Sequence, residues 1–111
     1  MNSVELSLVV PVKDEEKAIA PFLARVVAVL EAIDDPVAQS FEIIFVDDGS
    51  SDTTLELMRQ AHARDPRIRG ISLSRNFGKE AALSAGIDVA RGKSVVPLDV
   101  DLQDHPRRCR R

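Results

Sequence analysis

The sequence predicts an α/β domain built on a parallel, Rossmann-like sheet, and three observations predict it. Four short apolar runs alternate with segments of helical periodicity, giving βαβαβαβ. The runs are nearly continuously apolar rather than alternating, as strands covered on both faces are. A polar cluster follows each run, so all four clusters fall at the carboxyl edge of one sheet, where such sheets bind ligands. The 111 residues suffice for one small domain with a core.

The first run, LSLVVPV at 6–12, reads as a buried strand. The charged loop KDEEK follows, and Pro21 suits the first turn of a helix, where its missing N–H costs nothing. Phe22, Val26, Val29, Leu30 and Ile33 then recur at helical spacing, so the helix is expected from 21 to about 33, with DDP ending it. FEIIFV at 41–46 is the second strand; DDGSSD after it makes a turn and supplies caps. The next helix carries Leu55, Leu57, Met58 and Ala61 and stops before Asp65-Pro66. A third strand is expected at 68–73, a loop SRNFGKE at 74–80, and a helix from about 79 to 90. Gly92 would close that helix in the left-handed conformation. The fourth strand, 94–98, runs into the aspartates of DVDLQD.

Composition narrows the function classes. A net charge of -3 leaves no general footprint for nucleic acid, and with no Trp, no Tyr and four Phe, stacking platforms for single strands are lacking. The single Cys109 excludes an internal disulfide, which fits a reducing cytoplasm. No stretch approaches the roughly 20 apolar residues that span a bilayer. No nucleophile–base arrangement and no Cys/His metal spacing is present.

The carboxyl-edge clusters carry the chemistry. Asp99 and Asp101 flank one residue, so in extended chain both carboxylates point the same way. Such a pair repels unless a cation lies between, and hard oxygens suit Mg²⁺ or Mn²⁺, which in turn bind phosphates. The alternative is a pair of solvated acids in a turn. Asp47 and Asp48 either accept hydrogen bonds from a ribose or base, or cap the turn that follows them. Arg75, Asn76 and Lys79 suit a phosphate, or simply a hydrated loop. His62 and His105 read as surface histidines, and His105 has a metal ligand as its alternative.

Together LSLVVPVKDEE, FEIIFVDDGSSDTT, SRNFGKEAALSAGIDVARG and VVPLDVDLQDHP, in this order, resemble the N-terminal nucleotide-sugar-binding half of family 2 glycosyltransferases. The likeness is strongest to the group that makes polyprenyl-phosphate (undecaprenyl- or dolichyl-phosphate) sugars, and it covers nearly everything from 6 to 106. It implies the N-terminal half of the nucleotide-diphospho-sugar transferase (GT-A) fold. Pro11, Val12 and Glu15 or Glu16 would line the base pocket, and Asp48, with Asp47 beside it, would contact base or ribose. Arg75 and Lys79 would lie near the diphosphate. Asp99 and Asp101 match the D-x-D, with Asp101 the more direct metal ligand, Asp99 nearer the ribose and Gln103 near metal and sugar phosphate. The implied reaction is inverting attack by a polyprenyl phosphate oxygen on the anomeric carbon of a nucleotide-diphosphate sugar, assisted by Mg²⁺ or Mn²⁺. The expected location is the cytoplasm, or the cytoplasmic face of a membrane reached through C-terminal segments of a longer relative.

The sequence departs from the family in two places. Lys13-Asp14 stands where an aromatic or other residue followed by Asn is usual. After DLQDHP the family continues into its acceptor-binding half, whereas here RRCRR follows. Residues 1–106 are therefore expected to be the donor-binding part. Residues 107–111 read as a basic tail left by truncation or frameshift, the alternative being a deliberate tail touching anionic lipid. Two other readings compete: a nucleotide-binding module without catalysis, and a receiver-like Mg²⁺-binding signalling domain using Asp47, Asp48 and Asp99.

Overall fold

In the computed structural model, residues 4–35 and 40–100 are described. The elements alternate as β1 (Leu6–Val12), α1 (Ile19–Ala32), β2 (Phe41–Asp47), α2 (Thr54–Arg64), β3 (Ile68–Ser72), α3 (Lys79–Val89) and β4 (Ser94–Pro97). Helix α1 begins two residues before its expected start, which leaves Pro21 inside the first turn. The strands form one parallel sheet in the order β3-β2-β1-β4. The chain thus runs outward from β1 to β3 and then crosses back to place β4 on the other side of β1. The point where strand order reverses lies between β1 and β4, and the crevice outside their carboxyl ends is where such sheets take ligands.

Three layers hold the sheet. Leu8, Val10 and Val12 of β1, with Phe41, Ile43 and Phe45 of β2, pack under Phe22, Val26 and Leu30 of α1 and Met58 and Ala61 of α2. Phe22 meets Phe45 edge to face, with centroids 5.8 Å apart. On the other face Val9, Ile44 and Val46 pack under Ala82 of α3. Every residue of β2 is buried, because it is covered on both faces and paired on both edges. All four residues of β4 are exposed, as expected of a strand that, among the described residues, has a neighbour on one side only.

The end of the sheet opposite the loop clusters is locked by a buried carboxylate. Glu42 is 1% exposed on the α3 face. Its Oε2 accepts from the Ser7 hydroxyl at 2.6 Å and the Arg91 backbone N–H at 2.7 Å; its Oε1 accepts from Arg69 Nη1 at 2.7 Å. Burial alone would raise its pKa, but the Arg91 N–H, the Ser7 hydroxyl and the Arg69 guanidinium together hold it below the ordinary carboxylate value. The Ser7 Oγ in turn accepts from Gly92 N–H at 2.8 Å, tying the turn after α3 to β1.

Gly92 does not take the left-handed conformation expected of it; among the described residues the glycines with positive φ are Gly49 and Gly78. Its glycine serves close approach instead. A Cβ there would lie 2.6 Å from Ser7 Oγ, 2.7 Å from Ser7 N and 2.8 Å from Leu6 C, two of them backbone atoms that cannot yield. Gly92→Ala is accordingly expected to cost about 1–3 kcal/mol by overpacking, read as a lower urea midpoint at unchanged slope.

Candidate functional site

The loops after β1 and β2 are knitted to each other by polar side chains. Asp14 has φ 53°, a left-handed conformation that Asn and Asp tolerate better than other side chains. Its N–H donates to Ser50 Oγ at 2.7 Å, and its Oδ1 accepts from Ser51 N–H at 2.7 Å. That N–H first, and Lys13 second, hold the Asp14 carboxyl below its usual pKa. The departure from Asn at this position therefore preserves both the backbone conformation and an Oδ1 acceptor. Glu15 N–H donates to Thr54 Oγ1 at 2.9 Å, and Glu16 Oε1 accepts from Thr53 N–H at 3.1 Å and its hydroxyl at 2.5 Å. Asp52 accepts from both the N–H and the hydroxyl of Thr54, and from Glu16 N–H at 3.4 Å. The Thr54 hydroxyl is the first cause of its lowered pKa.

Asp47 and Asp48, at the end of β2, are 2% and 5% exposed. Asp47 Oδ1 accepts from Ser50 N–H at 3.1 Å, closing its own turn. Asp48 reaches away from that turn: its Oδ1 accepts from Phe77 N–H at 2.8 Å and its Oδ2 from Gly78 N–H at 3.1 Å. It thereby fixes the loop before α3 rather than capping the segment after itself. Gly49 (φ 79°) permits the approach, since a Cβ would lie 2.8 Å from Asn76 N. The clamp sets the start of α3, and Lys79, its first residue, reaches Asp99 beyond β4, with Nζ 2.7 Å from Oδ1. The Arg75 guanidinium lies over the Phe77 ring, 5.4 Å from its centroid.

Asp48, Arg75, Lys79 and Asp99 thus belong to one connected group. Glu15 and Glu16 instead line a cavity of about 550 Å³ with Pro21, Phe22, Arg25 and Val100. That cavity adjoins the loops of β1 and β4. Pro11 is half-buried; the Val12 side chain is in the core, and its carbonyl accepts Asp48 N–H at 2.9 Å. Asp101, Gln103, His105, Cys109 and the 107–111 tail fall outside the described residues. His62 is exposed, as expected, and its Nδ1 lies 2.6 Å from the Ile68 carbonyl.

The donor chemistry at Asp99 fits a hard divalent cation: a partly exposed carboxylate oxygen at a strand's carboxyl end, beside the Lys79 ammonium. No group of three or more His, Cys, Asp or Glu suited to a metal occurs among the described residues. No helix among them is long and apolar enough to cross a membrane.

A parallel sheet with its polar loops joined at one carboxyl edge defines an α/β domain of the ligand-binding, doubly wound kind. The chain belongs to glycosyl transferase family 2, whose model matches residues 7–111. It is 43% identical over 108 residues to the dodecaprenyl-phosphate galacturonate synthase of Rhizobium johnstonii, covering 96% of this chain and 31% of that protein. Identity is 40% over 110 residues to the undecaprenyl-phosphate 4-deoxy-4-formamido-L-arabinose transferase of Aeromonas hydrophila, covering 96% and 32%. The chain therefore spans about a third of the length of these relatives. Among solved structures, S. aureus TarS 1-349 in complex with UDP superposes with a TM-score of 0.68 at 26% identity, covering 88% of this chain and 28% of that one. The mannosyltransferase PcManGT from Pyrobaculum calidifontis, in complex with GDP-Man and Mn²⁺, shares the fold, with a TM-score of 0.65 at 24% identity over 91% of this chain and 28% of that one. The fold is thus the N-terminal part of the GT-A fold, and the family sets the receiver-like reading aside.

Proposed function

We propose that residues 1–106 form the donor-binding part of an inverting glycosyltransferase that moves a sugar from a nucleotide diphosphate to a polyprenyl phosphate. The observation that carries this reading is the connected group at the carboxyl edge. Asp48 clamps the loop that delivers Lys79 to Asp99, linking a buried acceptor, an ammonium and a strand-end carboxylate at one edge of the sheet. That TarS, which shares this fold, forms a complex with UDP supports a nucleotide ligand, and the relatives' names support a polyprenyl-phosphate acceptor.

In this reading Pro11, Val12, Glu15 and Glu16 border the base, and Asp47 and Asp48 hold base or ribose. Arg75 and Lys79 would neutralise the diphosphate, and Gln103, outside the described residues, would serve the metal and sugar phosphate. Asp99 and Asp101 would hold Mg²⁺ or Mn²⁺, which supplies charge stabilisation of the departing diphosphate. The cationic side chains contribute to the same end by facing charge that grows as the glycosidic bond breaks. The acceptor phosphate is already anionic and needs little help from a general base. The reading goes with placement in the cytoplasm, or at the cytoplasmic face of a membrane in a longer protein.

Calorimetric titration of the purified chain with UDP, GDP and their sugars, with and without Mn²⁺, beside Asp101→Ala, tests this. Metal-dependent binding lost in the variant is expected. A folded chain that takes up neither nucleotide overturns the reading. Sugar that adds nothing to the nucleotide's affinity would favour a nucleotide-binding module without catalysis.

A further inference from the structure

We propose that Arg69 is a positioning residue for the ligand site at the opposite edge of the sheet. It ties the last turn of α3 to the buried Glu42 and so steadies the helix whose first residue is Lys79. The inference rests on the donor-site reading and adds to it a residue that acts on the site through α3, without touching it.

Three observations carry it. Glu42, Ile44, Val46 and Asp48 follow one another at every second position, on the face of the sheet that α3 covers. From Glu42 to Asp48 the strand rises about 20 Å, and the 11 residues of α3 span about 16 Å, so the two carboxylates bracket the helix. At one end Asp48 accepts from Gly78 N–H at 3.1 Å. At the other, Arg69 Nη1 donates both to Glu42 Oε1 at 2.7 Å and to the Val89 carbonyl at 3.2 Å. The second observation is the packing between these ends. The buried residues of α3 are Ala82 and Gly86, and a Cβ at Gly86 would lie 2.4 Å from Val9 Cγ1. Small residues bring the helix close to the sheet, but they make shallow ridges that fix its tilt poorly. Thirdly, α3 carries no basic residue in its last turn, so its terminal carbonyls draw their cationic partner from β3.

The Arg91 N–H to Glu42 and the Gly92 N–H to Ser7 hold the chain beyond the helix, not its last carbonyl. Without Arg69, α3 keeps the Asp48 clamp and tilts about it. The direction in which Lys79 projects from the first turn then varies, and a ligand must pay to restore it.

The test compares Arg69→Gln with Arg67→Gln, the same change two residues away. Arg67 pairs with Asp65 and Glu31 and lies over Phe41, so its loss also costs stability but leaves the ties to α3 in place. UDP or GDP, whichever the wild type takes up, is titrated into each intact chain by calorimetry. Sucrose is present to favour the folded state, which circular dichroism checks. Arg69→Gln is expected to bind about three- to tenfold more weakly, within the range for residues that act on a site they do not touch. Arg67→Gln should bind as the wild type does. Arg69 makes both bonds through one nitrogen, so the ammonium of Arg69→Lys should recover part of the affinity. Wild-type affinity in Arg69→Gln, or an equal loss in Arg67→Gln, overturns the inference and leaves the donor site standing. Failure of the folded wild type to bind either nucleotide overturns both.

Discussion

Glu42→Gln is expected to destabilise the fold by about 3–5 kcal/mol, the cost of removing one partner from a buried ion pair. Every group around this carboxylate donates: the Ser7 hydroxyl, the Arg91 N–H and the Arg69 guanidinium. A glutamine offers one acceptor oxygen and turns its NH₂ towards donors whichever way it lies. Ser7 cannot simply reverse, because its oxygen already accepts from Gly92 N–H. The effect carries a pH signature. The folded-state pKa of Glu42 is lowered, so its contribution is fully present above the unfolded value, about 4.3, and is lost as pH falls through the folded value. Urea unfolding from pH 7 to pH 3 should show a wild-type advantage over Glu42→Gln that is constant down to about pH 5 and shrinks below it. A pH-independent gap would mean that packing, not ionisation, is what the variant loses.

Asp48→Ala is expected to remove both stability and ligand binding. Two backbone N–H groups, of Phe77 and Gly78, lose a charged acceptor that is 5% exposed. Hydrogen bonds to charged groups contribute about 1.5–3 kcal/mol each, so a loss near 3 kcal/mol is expected. The start of α3 then loses its tether, and Lys79 its fixed base. Nucleotide affinity should fall by more than tenfold even where the chain remains folded. Asp48→Asn keeps one acceptor oxygen and should lie between the two. Urea unfolding and calorimetry on the same samples separate the two effects; an Asp48→Ala chain of undiminished stability would show that the loop is held by other contacts.

The strands and helices were legible because each apolar run is longer and more continuous than any loop could bury, and Pro, Gly and Asp mark the breaks. Phe22, Val26 and Leu30 fall at helical spacing in the sequence and point into the core in the fold. The carboxyl-edge clusters were legible for a related reason: in a parallel sheet every helix returns the chain to the amino edge, so every strand ends at the carboxyl edge and the post-strand loops gather there. Glu42 was not legible. It sits inside an apolar run where period and composition say only strand, and its partners Ser7, Arg69 and Arg91 come from three separate segments. Gly92 invited a local explanation, a helix stop, where the reason is a neighbour 85 residues away.

Acting alone, the sequence determined the element order, the parallel sheet and the edge at which polar side chains gather, since periodicity and turn chemistry are local. Strand order and partner choice belong to the tertiary structure. Only there does β4 cross to the far side of β1 and put the strand reversal between them. Only there does Asp48 pass over its own turn to hold Gly78, and Lys79 reach Asp99. A carboxylate's nearest donor is decided by distance in space, and distance along the chain does not carry it.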